Sequence, residues 1–204
     1  MKQKIKVIFL DIDGVLNGYD LREHILYRLW KLVKNKKIKD YIRRKSYISD
    51  IDERHFKKLV KICRKTGAKI VISSSWRNGL IDKDGNRIAD FDDRKKFWRL
   101  VDKYGIEIIG KTPKSRKSYK RQDEILSWLS QNENIYEIEN FVILDDEDSH
   151  LECFRGSNLI KTSYDGYYGA LRCKFGEFTG LENKHVKEAI KKLNEKVEFT
   201  NNIE

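Results

Sequence analysis

The sequence has little of what marks secreted, zinc-binding or membrane-spanning proteins. Its 204 residues contain three cysteines, which are odd in number, far apart and without a CxxC pair. A disulfide framework and a zinc site are therefore not expected, and a reducing, cytoplasmic environment fits the chain. No apolar run approaches the ~20 residues that span a bilayer, so we expect no membrane partner.

The chain also lacks internal repeats and any linker rich in proline, glycine or serine. Its length suits one domain with a full hydrophobic core, and we expect a single domain over residues 1–204. Two stretches do not fit the alternation of strand-like and helix-like segments that the rest of the chain shows. Residues 18–48 are expected to form a small basic, helical, cap-like insertion after the first strand, and residues 79–91 a small hairpin around an Asp-Gly turn.

The formal net charge of +11 is unevenly distributed along the chain. Residues 22–45 hold ten lysines and arginines against two acids, and residues 111–121 hold six with no acid. Clustered positive charge attracts polyanions and raises the rate of encounter with them. For the first cluster, a solvated lysine-rich surface explains the charge equally well.

Short apolar runs alternate with amphipathic segments. The runs occupy residues 6–10, 69–72, 106–109 and 141–144, with a weaker one at residues 158–162. Helical spacing of apolar residues predicts helices over residues 25–33, from an N-cap at Asp50 to Gly67, up to Gly105, and over residues 186–197. This alternation predicts an α/β fold with a five-stranded, doubly wound parallel sheet.

The first polar motif follows the first predicted strand as Asp11-Ile12-Asp13-Gly14. Residues two apart on a strand share a face, so both carboxylates can converge on one point. Gly14 allows the sharp turn that the chain needs there. Taken alone, the motif could equally be an acidic turn without a function.

Two further motifs indicate where a phosphate would bind. Ser73 and Ser74 follow the second strand, where hydroxyls and free backbone N–H groups can hold a phosphate oxygen. A cation from residues 111–121 would neutralise charge on a transferring phosphoryl group. Arg121, at the start of a helix, is the first choice and Lys114 the second.

The last motif is Asp145-Asp146, directly after the fourth strand. Several carboxylates at the end of a buried strand repel one another unless a cation lies among them. Ligands that are all oxygen favour a hard ion such as Mg²⁺, which takes one or two carboxylates together with substrate phosphate.

Together these motifs resemble the haloacid dehalogenase (HAD) superfamily of phosphohydrolases. The resemblance rests on DIDGVL, VISSSW, a basic residue before a helix, and ILDDED, in that order. More narrowly, FLDIDGVLN, KIVISSSWR, IIGKTP and VILDDED are similar to the HAD domains of Swiss-Army-Knife RNA-repair proteins. The sequence departs from these domains in the basic stretch 18–48 and in the segment 164–178.

The resemblance implies a HAD-like Rossmannoid fold and a role for each motif. Asp11 would attack phosphorus and form an aspartyl-phosphate, and Asp13 would protonate the leaving oxygen and then take a proton from water. The Mg²⁺ ligands would be an oxygen of Asp11, the backbone carbonyl of Asp13, and Asp145 or Asp146. The phosphoryl-binding residues would be Ser73 and Ser74, helped by Arg121 or Lys114.

The expected substrate is a phosphorylated molecule, with a terminal phosphate on RNA or DNA, or a nucleotide, preferred. Residues 22–45 combine cations with Tyr27, Trp30 and Tyr41, and such a mixture suits a nucleic-acid end. A sugar phosphate, or a catalytically idle HAD fold that binds nucleic acid or protein, is the alternative. Trp76, Trp98 and Trp128 are expected to be packing residues. The sequence gives no indication of the oligomeric state.

Overall fold

The computed structural model describes residues 2–17, 29, 32–45, 51–115, 119–162 and 180–195. Most of the predicted helix over residues 25–33, and all of the segment 164–178, lie outside the described residues. Among the described residues, no helix is both long and apolar enough to cross a membrane.

Five strands form one parallel sheet in the order β3-β2-β1-β4-β5. They are β1 (Gln3–Leu10), β2 (Lys69–Ile72), β3 (Ile108–Lys111), β4 (Tyr136–Asp145) and β5 (Leu159–Lys161). The central strand β1 pairs with β2 on one side and with β4 on the other. The predicted five-stranded parallel sheet is confirmed.

The predicted start of β4 was too late, because the strand begins at Tyr136 rather than at residue 141. Its first half alternates between exposed and half-buried residues, and only its second half is covered on both faces. A continuous apolar run marks only the part of a strand that is buried on both faces. The prediction therefore found that part and missed the rest.

Helices cover both faces of the sheet. They are α1 (Lys36–Lys45), α2 (Glu53–Thr66), α3 (Arg77–Leu80), α4 (Asp92–Tyr104), α5 (Arg121–Asn132) and α6 (Asn183–Asn194), with a 3-10 helix at Glu152–Phe154. Ile8 and Leu10 of β1 belong to a buried cluster with residues of α2, α4 and α6. Val7 and Phe9 belong to a second cluster, on the other face, with residues of α5.

The N-cap of α2 is Asp52 and not the predicted Asp50. The Asp52 carboxylate accepts the backbone N–H of Arg54 at 2.8 Å, and its own backbone N–H donates to the Leu16 carbonyl at 2.9 Å. That tertiary bond fixes where the helix begins, and a local pattern with two possible aspartates does not contain it. Gly67 ends the helix in the left-handed conformation, as predicted.

A turn over residues 12–17 connects β1 to the rest of the chain, with Gly14 at φ 68°. Two distant residues are bound to it. Thr162 Oγ1 donates to the Gly14 carbonyl at 2.7 Å, and the backbone N–H of Leu181 donates to the Val15 carbonyl at 2.9 Å.

The chain reverses direction again between Ile81 and Arg87, which form an antiparallel bridge. The Asp82 carboxylate accepts the backbone N–H groups of Asp84 and Asn86, each at 2.8 Å. The predicted boundaries of this hairpin, of the insertion 18–48 and of the single domain stay predictions.

Candidate active site

Polar residues reach one edge of the sheet because the backbone hydrogen bonds of the strands continue past the strand ends. The Asp11 N–H donates to the Leu144 carbonyl and the Ser73 N–H to the Leu10 carbonyl, both at 2.9 Å. The Thr112 N–H donates to the Ile72 carbonyl in the same way, at 2.9 Å. The carboxyl ends of parallel strands thus bring these side chains together, where α/β sheets bind ligands.

Three carboxylates lie together at this edge. Asp11, Asp145 and Asp146 each offer an oxygen within 4.8 Å of the others, and Asp145 is fully buried. Burial, followed by the negative charge of Asp11, raises the pKa of Asp145 to about 6 although Arg121 opposes the shift. Burial and then the charges of Asp11 and Asp145 raise the pKa of Asp146 to about 7.

The guanidinium of Arg121 lies between two of these carboxylates. Its Nη1 donates to Asp11 Oδ2 at 2.8 Å and also to Asp145 Oδ2. The position of Arg121 at the start of α5 is fixed by its neighbour, since the Gln122 N–H donates to the His150 carbonyl at 2.9 Å. The candidate phosphate-binding cation therefore contacts both the candidate nucleophile and a candidate metal ligand.

The carboxylate of Asp13 makes its hydrogen bonds to residues outside the group of Asp11, Asp145, Asp146 and Arg121. Its Oδ1 accepts a hydrogen bond from Asn17 Nδ2 at 2.7 Å, and its Oδ2 accepts one from the indole Nε1 of Trp76 at 2.9 Å. The carboxylate is thus separate from the cluster of Asp11, Asp145 and Asp146. Asp11 and Asp13, two residues apart in one motif, therefore have unlike surroundings.

Ser73 and Ser74, the first two residues after β2, are fully buried. Ser74 Oγ accepts the Trp76 backbone N–H at 3.2 Å. Within the described part of the chain, Ser73 Oγ and Thr112 Oγ1 are buried without a hydrogen-bond partner. Leaving such a group unpaired costs about 1–3 kcal/mol, so a ligand oxygen that accepts from Ser73 would regain that free energy.

A pocket of about 210 Å³ adjoins Arg121 and Asp145. Lys114, Tyr119 and His150 line it, and the Tyr119 side chain is 99% exposed. Lys114 therefore lies on the wall of the pocket and not among the carboxylates. Lys111, another residue of the basic run, points away and donates to the Ile81 carbonyl at 2.7 Å.

Sequence reasoning missed a buried ion pair in the wall of this pocket. Arg77 Nη2 lies 2.7 Å from Glu124 Oε1, and Arg77 Nη1 donates to the Ser74 carbonyl at 3.1 Å. The Ser115 N–H donates to the same Glu124 oxygen at 3.2 Å. Glu124 is one helical turn after Arg121, so the pair joins the serine loop, α5 and the loop after β3.

Residues 7–167 match the family model described as the HAD domain in Swiss Army Knife RNA repair proteins. The chain belongs to this HAD family. The match includes the second half of β1, all of β2 to β5 and every predicted site residue, whereas α6 lies beyond it. A comparison with curated proteins gives no significant match.

Membership of this HAD family supports a phosphatase-like function in general terms. The acidic cluster of the HAD domain also fits a divalent metal ion, because it offers carboxylate oxygens only and keeps them close together. The raised pKa values of Asp145 and Asp146 indicate that negative charge at this edge is incompletely compensated. A bound cation would supply that compensation.

Proposed function

We propose that this HAD domain is a cytoplasmic, Mg²⁺-dependent phosphatase that works through an aspartyl-phosphate on Asp11. Its preferred substrate is a terminal phosphate on RNA or DNA, as met in RNA repair, or a nucleotide. One observation carries the proposal, namely that Asp11, Asp145 and Asp146 converge within 4.8 Å at the sheet edge. The single guanidinium of Arg121 balances only part of the charge of three carboxylates, so their remaining repulsion favours a bound cation.

The first chemical step begins at Asp11. Its Oδ1 accepts the Ile12 N–H at 2.8 Å, which leaves Oδ2 on the side of Arg121. An Asp11 oxygen attacks phosphorus, the bond from phosphorus to the ester oxygen breaks, and Asp13 gives that oxygen a proton. The products of this step are the free alcohol and the aspartyl-phosphate.

The second step reverses the role of Asp13. It takes a proton from the water that attacks the aspartyl-phosphate, so that inorganic phosphate leaves and the Asp11 carboxylate is restored. Ser73, Ser74 and Arg121 hold the phosphoryl oxygens during both steps, with Lys114 at the pocket wall as a further cation. Charge on these oxygens is thereby stabilised by groups already in place.

The metal ion belongs among the three clustered carboxylates. Asp11 and Asp145 or Asp146 would hold Mg²⁺, together with the backbone carbonyl of Asp13. When bound, the ion supplies positive charge to the phosphoryl oxygens and lowers the repulsion between phosphate and carboxylate.

The decisive experiment compares the wild type with Asp11→Asn on para-nitrophenyl phosphate. We expect no turnover in the variant, and none in the wild type after EDTA treatment. Asp102→Asn, which removes a surface carboxylate that pairs with Arg87, is the matched control and should stay active. Beryllofluoride with Mg²⁺, a mimic of the aspartyl-phosphate, should raise the melting temperature of the wild type. Turnover by Asp11→Asn contradicts the nucleophile, and a missing thermal shift favours an idle binding module.

The pocket favours a substrate that carries a base over a small sugar phosphate. The exposed ring of Tyr119 lines the same pocket as the cations Lys114 and Arg121. A base stacked on an aromatic ring gains about 1–3 kcal/mol, while the cations contact phosphates. This arrangement suits a phosphate that is attached to a nucleoside.

A comparison of substrates tests this assignment. Tyr119→Ala should raise KM for a phosphorylated oligonucleotide or a mononucleotide about 5- to 150-fold, the equivalent of the stacking energy. It should leave para-nitrophenyl phosphate turnover nearly unchanged, and Tyr119→Phe should behave like the wild type. Equal rates on sugar phosphates and on oligonucleotide ends contradict the nucleic-acid assignment and leave the phosphatase reaction in place.

A further inference from the structure

Trp76 connects two parts of the site that the sequence treats as separate. Its backbone N–H donates to Ser74 Oγ at 3.2 Å, and its indole N–H donates to Asp13 Oδ2 at 2.9 Å. Trp76 is 7% exposed, as expected for a packing residue. The indole N–H, however, ends on a carboxylate of the site and not on a backbone carbonyl.

The Asp13 carboxylate is held at both oxygens. Asn17 Nδ2 donates to Oδ1 at 2.7 Å, while Asn17 Oδ1 accepts the Gly14 N–H at 2.8 Å. Asn17 is itself buried. Rotation of the Asp13 carboxylate about its terminal bond would break the bonds to Asn17 and Trp76 together, so the two donors fix the direction of its lone pairs.

A stacked arginine side chain holds the indole ring of Trp76 in place. The guanidinium of Arg94, on α4, lies 3.8 Å from the centre of the Trp76 ring, and Arg94 pairs with Asp93. Cation–π contacts of this kind resist displacement of the ring. A chain of contacts thus runs from α4 through Trp76 to Asp13.

We propose that Trp76 is a positioning residue for the proton transfers of Asp13, an inference that rests on the proposed function. Its N–H keeps the carboxylate aimed at the oxygen that leaves phosphorus. In the first step the proton passes from Asp13 to that oxygen, and in the second it passes from water to Asp13. Trp76 neither gains nor loses a proton in either step.

The chain offers a matched control in Trp98. This residue is 6% exposed, its Nε1 donates to the Ile88 carbonyl at 2.9 Å, and the guanidinium of Arg87 lies 4.5 Å from its ring centre. Trp98 therefore has the same burial, the same kind of hydrogen bond and the same kind of stacked cation. It differs from Trp76 in that its N–H bonds to a backbone carbonyl outside the site.

The test compares Trp76→Phe with Trp98→Phe on two leaving groups. A sugar alcohol, as in a phosphorylated oligonucleotide, needs a proton to leave, whereas para-nitrophenolate leaves readily as an anion. Well-placed acid–base groups contribute about 10²–10⁴-fold. We therefore expect Trp76→Phe to lower kcat on the oligonucleotide about 10- to 100-fold with KM little changed. The loss of kcat on para-nitrophenyl phosphate should be much smaller. Trp98→Phe should not lower kcat on one substrate more than on the other.

Further readouts separate positioning from folding. Trp76→Phe should keep the thermal shift with Mg²⁺ and beryllofluoride, because Asp11 and the acidic cluster are untouched. Loss of that shift, or equal losses on both leaving groups, overturns the positioning role. If Trp76→Phe does not fold, Asn17→Ser removes the other donor to Asp13 and should give the same selective loss, and its absence overturns the role. An inactive wild type overturns the proposed function itself and the positioning role with it.

Discussion

Arg121 Nη1 lies 2.8 Å from Asp11 Oδ2, and the same nitrogen donates to Asp145. A fixed positive charge therefore lies between the candidate nucleophile and a candidate metal ligand. It compensates part of their charge, and it also repels any cation that the same carboxylates bind. Phosphate binding and metal binding are thus expected to respond to Arg121 in opposite directions.

Arg121→Gln should bind Mg²⁺ more tightly and turn over substrate more slowly. Removal of about 1.4 kcal/mol of repulsion corresponds to a tenfold lower Kd, and loss of the phosphoryl contact should lower kcat/KM by about 10²-fold. Titration calorimetry gives the first quantity and initial rates give the second. Arg87→Gln, which removes an exposed arginine, is the control, and weaker Mg²⁺ binding by Arg121→Gln contradicts the expectation.

Asp146→Asn should stabilise the metal-free protein at alkaline pH. The folded state raises the Asp146 pKa from 3.8 to about 7, so the folded state binds more protons than the unfolded state between these values. Stability of the wild type is therefore lost as pH rises through this window, and it stays reduced above about pH 7. Melting temperatures in EDTA should fall across the window in the wild type and less in the variant. Loss of the stabilisation by Mg²⁺ in the variant would identify Asp146, rather than Asp145, as the metal ligand.

Glu124→Gln should destabilise the fold and lower activity together. Breaking a buried ion pair costs about 3–5 kcal/mol, whereas Glu107→Gln, which breaks an equally short but exposed pair with Lys69, should cost less than about 1 kcal/mol. The double change Arg77→Met with Glu124→Leu should regain stability. It should not regain activity, because the Ser74 carbonyl loses the bond from the Arg77 side chain and the Ser115 N–H loses the bond to Glu124. Denaturant unfolding curves measure the change in stability, and initial rates measure the change in activity.

Gly180→Ala should destabilise the fold more than Gly67→Ala. Both glycines have a positive φ, so both changes introduce backbone strain. A Cβ at Gly180 would lie 2.7 Å from His55 Cε1, whereas nothing lies within 4 Å at Gly67. The added overlap should cost about 1–3 kcal/mol, measured as the difference in unfolding free energy. Equal costs would mean that the His55 side chain, although buried, moves freely away from this glycine.

The convergence of Asp11, Ser73 and Asp145 could be predicted because it follows from topology. Each lies at the carboxyl end of a strand, and these strands are parallel neighbours that end at the same edge of the sheet. The partners of Asp13 could not be predicted in this way. Trp76 is far from it along the chain, and the contact depends on how two loops turn after their strands. No periodic pattern encodes such a turn.

The ion pair of Arg77 and Glu124 was missed for a related reason. Sequence patterns class charged residues as surface groups, and both residues are buried here because they satisfy each other and the backbone of Ser74 and Ser115. The preference for Arg121 over Lys114, by contrast, had a basis in the sequence, because a residue at the start of a helix points in a defined direction. Arg121 contacts the carboxylates, whereas Lys114 remains at the pocket wall.

The two bonds that Thr162 and Leu181 make to the turn over residues 12–17 have a consequence for how the sequence of this domain can change. The chain between these two residues starts and finishes against Gly14 and Val15. Its length and composition can therefore be altered without moving the backbone next to Asp13, since long insertions between fixed ends cost little.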